Sequence, residues 1–339
     1  MNVEGKMVLV TGGAGFIGSH LVKEYLAKKA GKVVVFDDFS TGTMNNLEHV
    51  DDNRLKIIEG SVLDEEKVNR VVEEEQIQII DHLAAELEVY TGIKDSKKDA
   101  NINIFGTLNV LDAALRNNIG KVLFASSGAV YGEAKYVPVD EEHPLEPHWP
   151  YGVSKLSAER YVLQYHKLFG LNTTAFRYSI VYGPMEWFGR VLTMFVKRIF
   201  LENKPPVVFG NGKQVRDFVY VKDVARAHML AIENDSSEGH VFNIGSGRGI
   251  SIDELARLLI DISGENLEVV YDNPPEGEAS RFQLERIRLS GELKRFVLSF
   301  EEVKNVLGWR PSVSFKDGVL KEIDWIKRNH YKWDVKPRV

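Results

Sequence analysis

Tyr151 and Lys155 stand four residues apart in the stretch Tyr151-Gly152-Val153-Ser154-Lys155. On a helix that spacing puts both side chains on one face, one turn apart. A free tyrosine titrates near pH ~10 and is a poor base at neutrality. A neighbouring ammonium favours the phenolate and lowers that value. Such a pair suits removal of a proton from a hydroxyl group. A serine hydroxyl from Ser126-Ser127, upstream, can hold the oxygen that loses the proton or relay the proton itself. For an isolated match of this kind the alternative is a surface lysine beside a partly buried tyrosine. The surrounding elements separate the two.

Those elements begin with an apolar run, Met7 to Thr11, followed by Gly12-Gly13-Ala14-Gly15-Phe16-Ile17-Gly18 and then Ile17, Leu21, Val22 and Tyr25 at helical spacing. This pattern is strand, glycine turn, helix. The glycines let the backbone approach a pyrophosphate at the helix N-terminus. A second strand, Lys32 to Phe36, ends in Asp37-Asp38. An acidic residue about 20 positions after such a turn is placed to bind adenosine ribose hydroxyls. The alternative for Asp37 is a solvated loop carboxylate. A carboxylate there repels a 2′-phosphate, so NAD is expected rather than NADP.

The alternation continues with a strand at Leu55 to Ile58, a helix at Asp64 to Glu75 with Asp64 as N-cap, and a strand at Ile77 to Leu83. That strand ends in His82-Leu83-Ala84-Ala85, whose small residues let a flat ligand lie on the backbone. His82 reads as a packed strand-end residue rather than a catalyst. A helix at Ile102 to Leu115, a strand at Lys121 to Ser127, a helix at Tyr151 to Phe169 and a strand at Asn172 to Tyr178 follow. Repeated strand–helix units with apolar strands imply a doubly wound parallel sheet. Ligands bind such sheets at the carboxyl ends of the strands, within reach of Ser127 and Tyr151.

Composition bounds the class. The chain has 339 residues, 44% of them hydrophobic and 27% charged, with no cysteine and a net charge of −6. The length suits one large domain with a smaller one. The charge argues against nucleic acid as the main partner. The absence of cysteine excludes disulfides, thiolate metal sites and cysteine nucleophiles. No apolar run approaches the ~20 residues of a membrane helix. Met1 to Lys6 is too short and polar for a signal peptide, so a cytoplasmic location is expected.

Taken in order, the Thr11 to Gly18 turn, Asp37, His82 to Ala85, Asn103 to Thr107, Ser126 to Gly132, Tyr151 to Lys155, Arg177 to Pro184 and Arg216 to Val221 span nearly the whole chain. This set resembles the extended short-chain dehydrogenase/reductases of the NAD-dependent epimerase/dehydratase group, and among them nucleotide-sugar epimerases of the UDP-glucose 4-epimerase kind. The resemblance implies a Rossmann domain over residues 1–178 and a smaller, discontinuous α/β substrate lobe over 179–339, with some segments returning to the first. It implies Tyr151 as base, Lys155 on the nicotinamide ribose and Ser127 at the reacting hydroxyl. It places NAD against Gly12, Gly15, Phe16, Ile17, Gly18, Asp37, Asp38, Thr41 and Gly42. Further contacts fall to Ser61, Val62, Leu83, Ala84, Ala85, Ser126 and Tyr178, with Asn103 bracing the site. It also implies a homodimer paired through the helices at 102–115 and 151–169, where Leu111, Ala114, Leu115, Leu163 and Leu168 offer apolar surface.

In the second half the alternation breaks down. Helices are expected at Trp187 to Leu201, Lys222 to Glu233, Ile252 to Ile262 and Phe315 to Lys327, with a short strand at Pro205 to Phe209. The patch Asn273 to Pro275 and the run Arg281 to Arg295 read as loops, and Arg286, Arg288, Lys294 and Arg295 as a solvated face. Arg216 resembles the family's phosphate-contacting arginine, a role suited to its planar fork. The alternative is a pair with Asp217 or Asp223. Val207 to Phe209 resemble the segment flanking the nucleobase. The chain departs from the family pattern at Ile180, where an asparagine is usual, at Pro275, where an arginine grips the diphosphate, and at Ser61, where an aspartate contacts adenine. Arg281 is a candidate to compensate for Pro275. The family's 4,6-dehydratases carry an Asp-Glu pair after the active-site hydroxyl residue, and its decarboxylases a Glu. Here Gly128-Ala129 follows Ser127. The expected activity is therefore C4 epimerisation of a nucleotide-diphosphate hexose such as UDP-glucose. The alternatives are a dehydratase or reductase of the same family, or an NAD-binding sensor without catalysis.

Overall fold

The computed structural model describes residues 1–48, 50–87, 89–283 and 286–333. The strands are β1 (Met7–Thr11), β2 (Lys32–Asp37), β3 (Leu55–Glu59), β4 (Ile79–His82), β5 (Lys121–Ser127), β6 (Thr173–Tyr178), β7 (Ile180–Tyr182), β8 (Val207–Phe209), β9 (Val215–Tyr220), β10 (Val241–Ile244), β11 (Gly249–Ser251) and β12 (Val270–Asp272). The helices are α1 (Phe16–Ala27), α2 (Glu65–Glu74), α3 (Val89–Lys94), α4 (Ser96–Ala100), α5 (Gly106–Arg116), α6 (Pro150–Phe169), α7 (Val191–Val196), α8 (Val221–Glu233), α9 (Ile252–Ser263), α10 (Glu301–Leu307) and α11 (Phe315–Asn329).

Seven strands form one sheet in the order β10-β6-β5-β4-β1-β2-β3, every pair parallel. Alternate strand residues enter opposite cores. Val8, Val10, Val33 and Val35 pack against α1, α8 and α10; Leu9, Val34, Ile80 and Phe124 pack against α2, α5 and α6. Both faces are thus covered, which is why these strands read as continuous apolar runs. The fold is a doubly wound Rossmann sheet with a smaller α/β lobe.

Parallel register aligns the strand ends. Thr11 is opposite both Phe36 and His82, and Ser127 is opposite Tyr178. The glycine turn, Asp37, His82, Ser127 and Tyr178 therefore share the carboxyl edge of the sheet. Asp64 caps α2 by accepting from the Lys67 N–H, as expected. Two helices differ from expectation. The one expected from Ile102 starts earlier, with π-helical turns at Asn101–Phe105 leading into α5. The one expected from Trp187 starts only at Val191, because Phe188 to Arg190 form a small bridged loop first.

The small lobe holds a three-stranded sheet, β11-β9-β7, and a two-stranded one, β12-β8. Its own core gathers Phe195, Phe218, Leu255, Leu259, Val319 and Ile326. Among the described residues no helix is long and apolar enough to cross a membrane.

Candidate active site

The glycine turn is built for close approach. Gly12 has φ +69, and a Cβ on it would stand 2.8 Å from the Ala84 nitrogen. A Cβ on Gly18 would meet the Gly12 carbonyl oxygen at 2.2 Å, so α1 packs directly on the turn. Helix α1 has Gly15 at its N-cap, with no side-chain cap and no acidic residue in its first turn. Its first N–H groups are left for a ligand anion. Asp37, buried at the end of β2, accepts from the Ala14 and Phe39 N–H groups at 2.9 Å each. A Cβ on Gly42 would press on both Asp37 carboxylate oxygens, at 2.7 and 2.8 Å. Asp38 accepts from the Ser40 N–H at 2.9 Å.

A single cleft runs from this turn to the start of α6. Gly12, Gly15, Phe16, Ile17, Gly18, Asp37, Asp38, Thr41, Ser61, Val62, Leu83, Ala84 and Ala85 line one part of it. Ser126, Ser127, Tyr151, Lys155 and Tyr178 line the other. Its walls also include Glu86, Trp187 and Arg190, for which the sequence offered no motif. These groups suit a dinucleotide: a helix N-terminus free of side-chain caps, a glycine-rich turn and a carboxylate at the end of β2.

Lys155, Ser127 and Tyr178, all in the cleft wall, are held from behind. Lys155 is 3% exposed, its Nζ 4.3 Å above the Phe124 ring. Burial pushes its ammonium down to about 7, against Glu159 and Asp99, which favour the charged form. Ser127 accepts the Ala129 N–H at 3.1 Å and keeps its hydroxyl hydrogen for another partner. Tyr178 hydrogen-bonds the His228 Nε2; His228 Nδ1 lies 2.9 Å from Asp81, which also accepts from Tyr25 at 2.7 Å. Burial, then the Asp81 charge, pushes the Tyr178 phenol well above its ordinary value, so it stays protonated.

Asn103 lies beside the cleft rather than in its wall. Its Oδ1 accepts the Glu86 N–H at 2.8 Å, and its Nδ2 points at the Glu86 carbonyl, Asp99 and Ser154 Oγ. It ties the segment after β4 to the first turn of α6. His82 is buried between Thr11 and Thr107, at 2.7 and 3.0 Å, and burial pushes it down to about 3. It is a neutral packing residue.

Val207, Phe209, Arg216 and Arg281 lie outside the walls of this cleft. Arg216, on β9, pairs with Glu292 at 3.4 Å, neither Asp217 nor Asp223. Asp217 instead accepts the Ser246, Gly247 and Leu298 N–H groups. Arg281 is 77% exposed and paired with the buried Asp272. Arg286 departs from the solvated face expected of it. Its guanidinium stacks 4.1 Å from the Phe209 ring and bonds the Val207 carbonyl, because aromatic faces attract a guanidinium. Arg288 bonds Asn273 at 2.6 Å and the Pro274 carbonyl. Within the run Arg281 to Arg295, Leu284 and Glu285 lie outside the described residues.

The chain matches the family described as GDP-mannose 4,6 dehydratase over residues 9–322. It is similar to the UDP-glucose 4-epimerase of Thermotoga maritima, solved with UDP-glucose: 34% identity, 96% of this chain and 99% of that one, TM-score 0.86. It is 32% identical to the CDP-paratose 2-epimerase of Salmonella typhi, over 94% of this chain and 98% of that protein. It is also similar to the dTDP-glucose 4,6-dehydratase of Streptomyces venezuelae, solved with NAD bound: 30% identity, 97% of this chain and 99% of that one, TM-score 0.86.

Proposed function

The chain belongs to the NAD-dependent epimerase/dehydratase family of nucleotide-sugar enzymes, and from that membership we propose that it is an NAD-dependent epimerase inverting C4 of a nucleotide-diphosphate hexose, with UDP-glucose the first substrate to test. The observation that carries this reading is the space after Ser127. A Cβ on Gly128 would stand 2.6 Å from the Phe296 ring and 3.0 Å from the Tyr178 carbonyl. Dehydration needs an added acid–base group, and this position has no room for one.

NAD, bound along the cleft by the glycine turn, Asp37, Lys155 and Tyr178, supplies a reversible hydride acceptor. Tyr151 takes the proton from the C4 hydroxyl, and the buried Lys155 ammonium favours its phenolate. Ser127 donates to the reacting oxygen with the hydrogen its own backbone contact leaves free. After the 4-keto sugar turns over, Tyr151 returns the proton. Arg216 takes the diphosphate in exchange for Glu292, and Val207 and Phe209 flank the base. The test is a panel of UDP-, dTDP-, GDP- and CDP-sugars followed by NMR for C4 inversion. No inversion in any member sinks the reading.

A second reading has one observation behind it. Glu86 lines the same cleft, ion-paired with Lys98 at 2.9 Å. It is the carboxylate a dehydration would use, and a stable 4-keto-6-deoxy product in the same panel would identify it.

We also propose a homodimer through α5 and α6. Leu111 and Ala114 do not serve it, since both are spent in the core against the sheet. The apolar surface comes instead from Leu168, Phe169 and Val153, at 66%, 55% and 50% exposed, and from Phe105 at 56%. Light scattering at micromolar concentration should give twice the 38.4 kDa chain mass, and a monomer contradicts this.

A further inference from the structure

The cleft has a second cation that the scheme above leaves idle. Among the described residues its walls carry three carboxylates, Asp37, Asp38 and Glu86, and two cations, Lys155 and Arg190. Lys155 is buried at the Tyr151 end, over the Phe124 ring. Arg190 ends the loop between β7 and α7, and its side chain is 35% exposed.

That loop is fastened to α1, the helix that follows the glycine turn. His20 on α1 is pushed down to about 4, chiefly by burial, and is neutral; its Nε2 hydrogen goes to the Pro184 carbonyl at 2.8 Å. Lys23 Nζ lies 3.7 Å from the Met185 sulfur. Met185 takes a φ of +74, a region that side chains seldom enter. Such a backbone persists only where its surroundings over-determine it. The Trp187 and Phe16 rings then meet edge-on, centroids 6.2 Å apart, and Phe16 is the first residue of α1.

The same Trp187 ring carries the guanidinium, with Arg190 Cζ 4.0 Å from its centroid. Nη1 donates to the Val181 carbonyl at 3.3 Å. Nε stands 3.7 Å from Glu186 Oε1, an ion pair too long for a hydrogen bond. Among the described residues Nη2 has no acceptor. The fork is therefore fixed by a ring and a carbonyl and keeps one nitrogen free to donate. Phe16, Trp187 and Arg190 form a run of contacts along the cleft wall, from the first turn of α1 to this guanidinium.

The N-terminus of α1 offers an anion only about half a positive charge. A pyrophosphate diester carries a negative charge on each phosphate, and arginine meets such oxygens with charge-assisted hydrogen bonds. Arg216, given above to the substrate diphosphate, lies outside this cleft. Arg190 is left for the diphosphate that lies inside it. We propose that Arg190 is a cofactor-binding residue: held on the Trp187 ring beside the first turn of α1, its guanidinium donates to the pyrophosphate of NAD. This rests on NAD occupying the cleft and not on which sugar reaction follows.

The experiment is calorimetric titration of cofactor-free wild type, Arg190→Gln and Arg190→Lys with NAD, ADP-ribose and adenosine, and of the NAD-loaded proteins with UDP-glucose. Losing a charge-assisted hydrogen bond costs about ten- to a hundredfold in affinity. Arg190→Gln should weaken NAD and ADP-ribose by that factor, equally, and leave adenosine unchanged. Arg190→Lys keeps the charge without the fork, so both losses should be smaller; it carries the test if Arg190→Gln does not fold. Unchanged affinity for NAD and ADP-ribose overturns the proposal, and a loss confined to UDP-glucose would then give the guanidinium to the substrate. An equal loss for adenosine also overturns it, because a loop that has merely lost its packing does not discriminate between ligands with and without the pyrophosphate. Failure of the cofactor reading is separate and is seen as wild-type protein that binds neither NAD nor ADP-ribose.

Discussion

Arg177 and Glu159 form a doubly hydrogen-bonded ion pair shut off from solvent, with Nε to Oε2 at 2.9 Å and Nη2 to Oε1 at 2.6 Å. The pair joins β6, which ends at Tyr178, to α6, which carries Tyr151 and Lys155. Ser126 adds a bond from β5 to the same carboxylate at 2.6 Å. One carboxylate thus holds the helix against the two strands that frame the cleft.

Arg177→Met leaves Glu159 buried without its cation. Breaking a buried pair from one side costs about 3–5 kcal/mol. Urea unfolding should show a loss of that size, and a loss below about 1 kcal/mol would mean that the pair is not what holds α6.

Tyr151→Phe keeps the ring and removes the hydroxyl. It should fold and bind NAD as wild type does while turnover falls by ~10²–10⁴-fold or more, the range for a general base. Full turnover by a folded, NAD-loaded variant ends the base assignment. Wild-type activity should rise through a group titrating well below the ~10 of free tyrosine.

Asp37→Ala should weaken NAD and narrow the gap between NAD and NADP, measured by titrating cofactor-free protein with each. Equal affinity of the wild type for both would remove the charge argument. The variant also loses the carboxylate that fixes the Ala14 and Phe39 N–H groups, so some loss of order at the turn accompanies it.

Glu322, on α11, and Glu186, in the loop carrying Trp187 and Arg190, meet as a buried carboxyl pair. Burial and mutual repulsion push Glu322 well above its ordinary value, and burial pushes Glu186 up to about 7. For an acid whose folded pKa lies above its unfolded one, the folded state keeps a proton that the unfolded chain gives up. Its contribution to stability is then lost as pH rises from the unfolded value, about 4.5, towards the folded one. Glu322→Gln should gain stability relative to wild type as pH goes from about 5 to 8. Parallel melting curves across that range would contradict the raised Glu322 pKa.

The large sheet was legible because burial on both faces forces apolar runs, and because glycine turns and terminal carboxylates punctuate them. Gly12 to Gly18 and the Tyr151–Lys155 spacing are local signals, and Asp37 is marked by its spacing from the glycine turn and its place at the end of an apolar run. The remainder depends on contacts between distant segments. Glu292 pairs with Arg216 across 76 residues, and Arg286 reaches the Phe209 ring from a distant loop segment with no periodicity. Glu86, Trp187 and Arg190 enter the cleft wall through packing of loops. Asp99 reads in the sequence as one charge among several in Lys97-Lys98-Asp99, and only the fold buries it.

β10 joins the outer side of β6 with residues 241–244, after much of the small lobe has been laid down. A ribosome that has released only the first 178 residues has therefore produced a sheet whose β6 margin is bare. Unpaired N–H and C=O groups along such a margin recruit any strand that comes near, including those of a neighbouring nascent chain. Arg177 and Tyr178 lie on that margin, opposite Asn243 and Ile244. Cutting the gene after codon 178 would yield a sticky half-product rather than a free-standing cofactor module, and inserting a partner domain is better done at a surface turn of the small lobe than between the two halves.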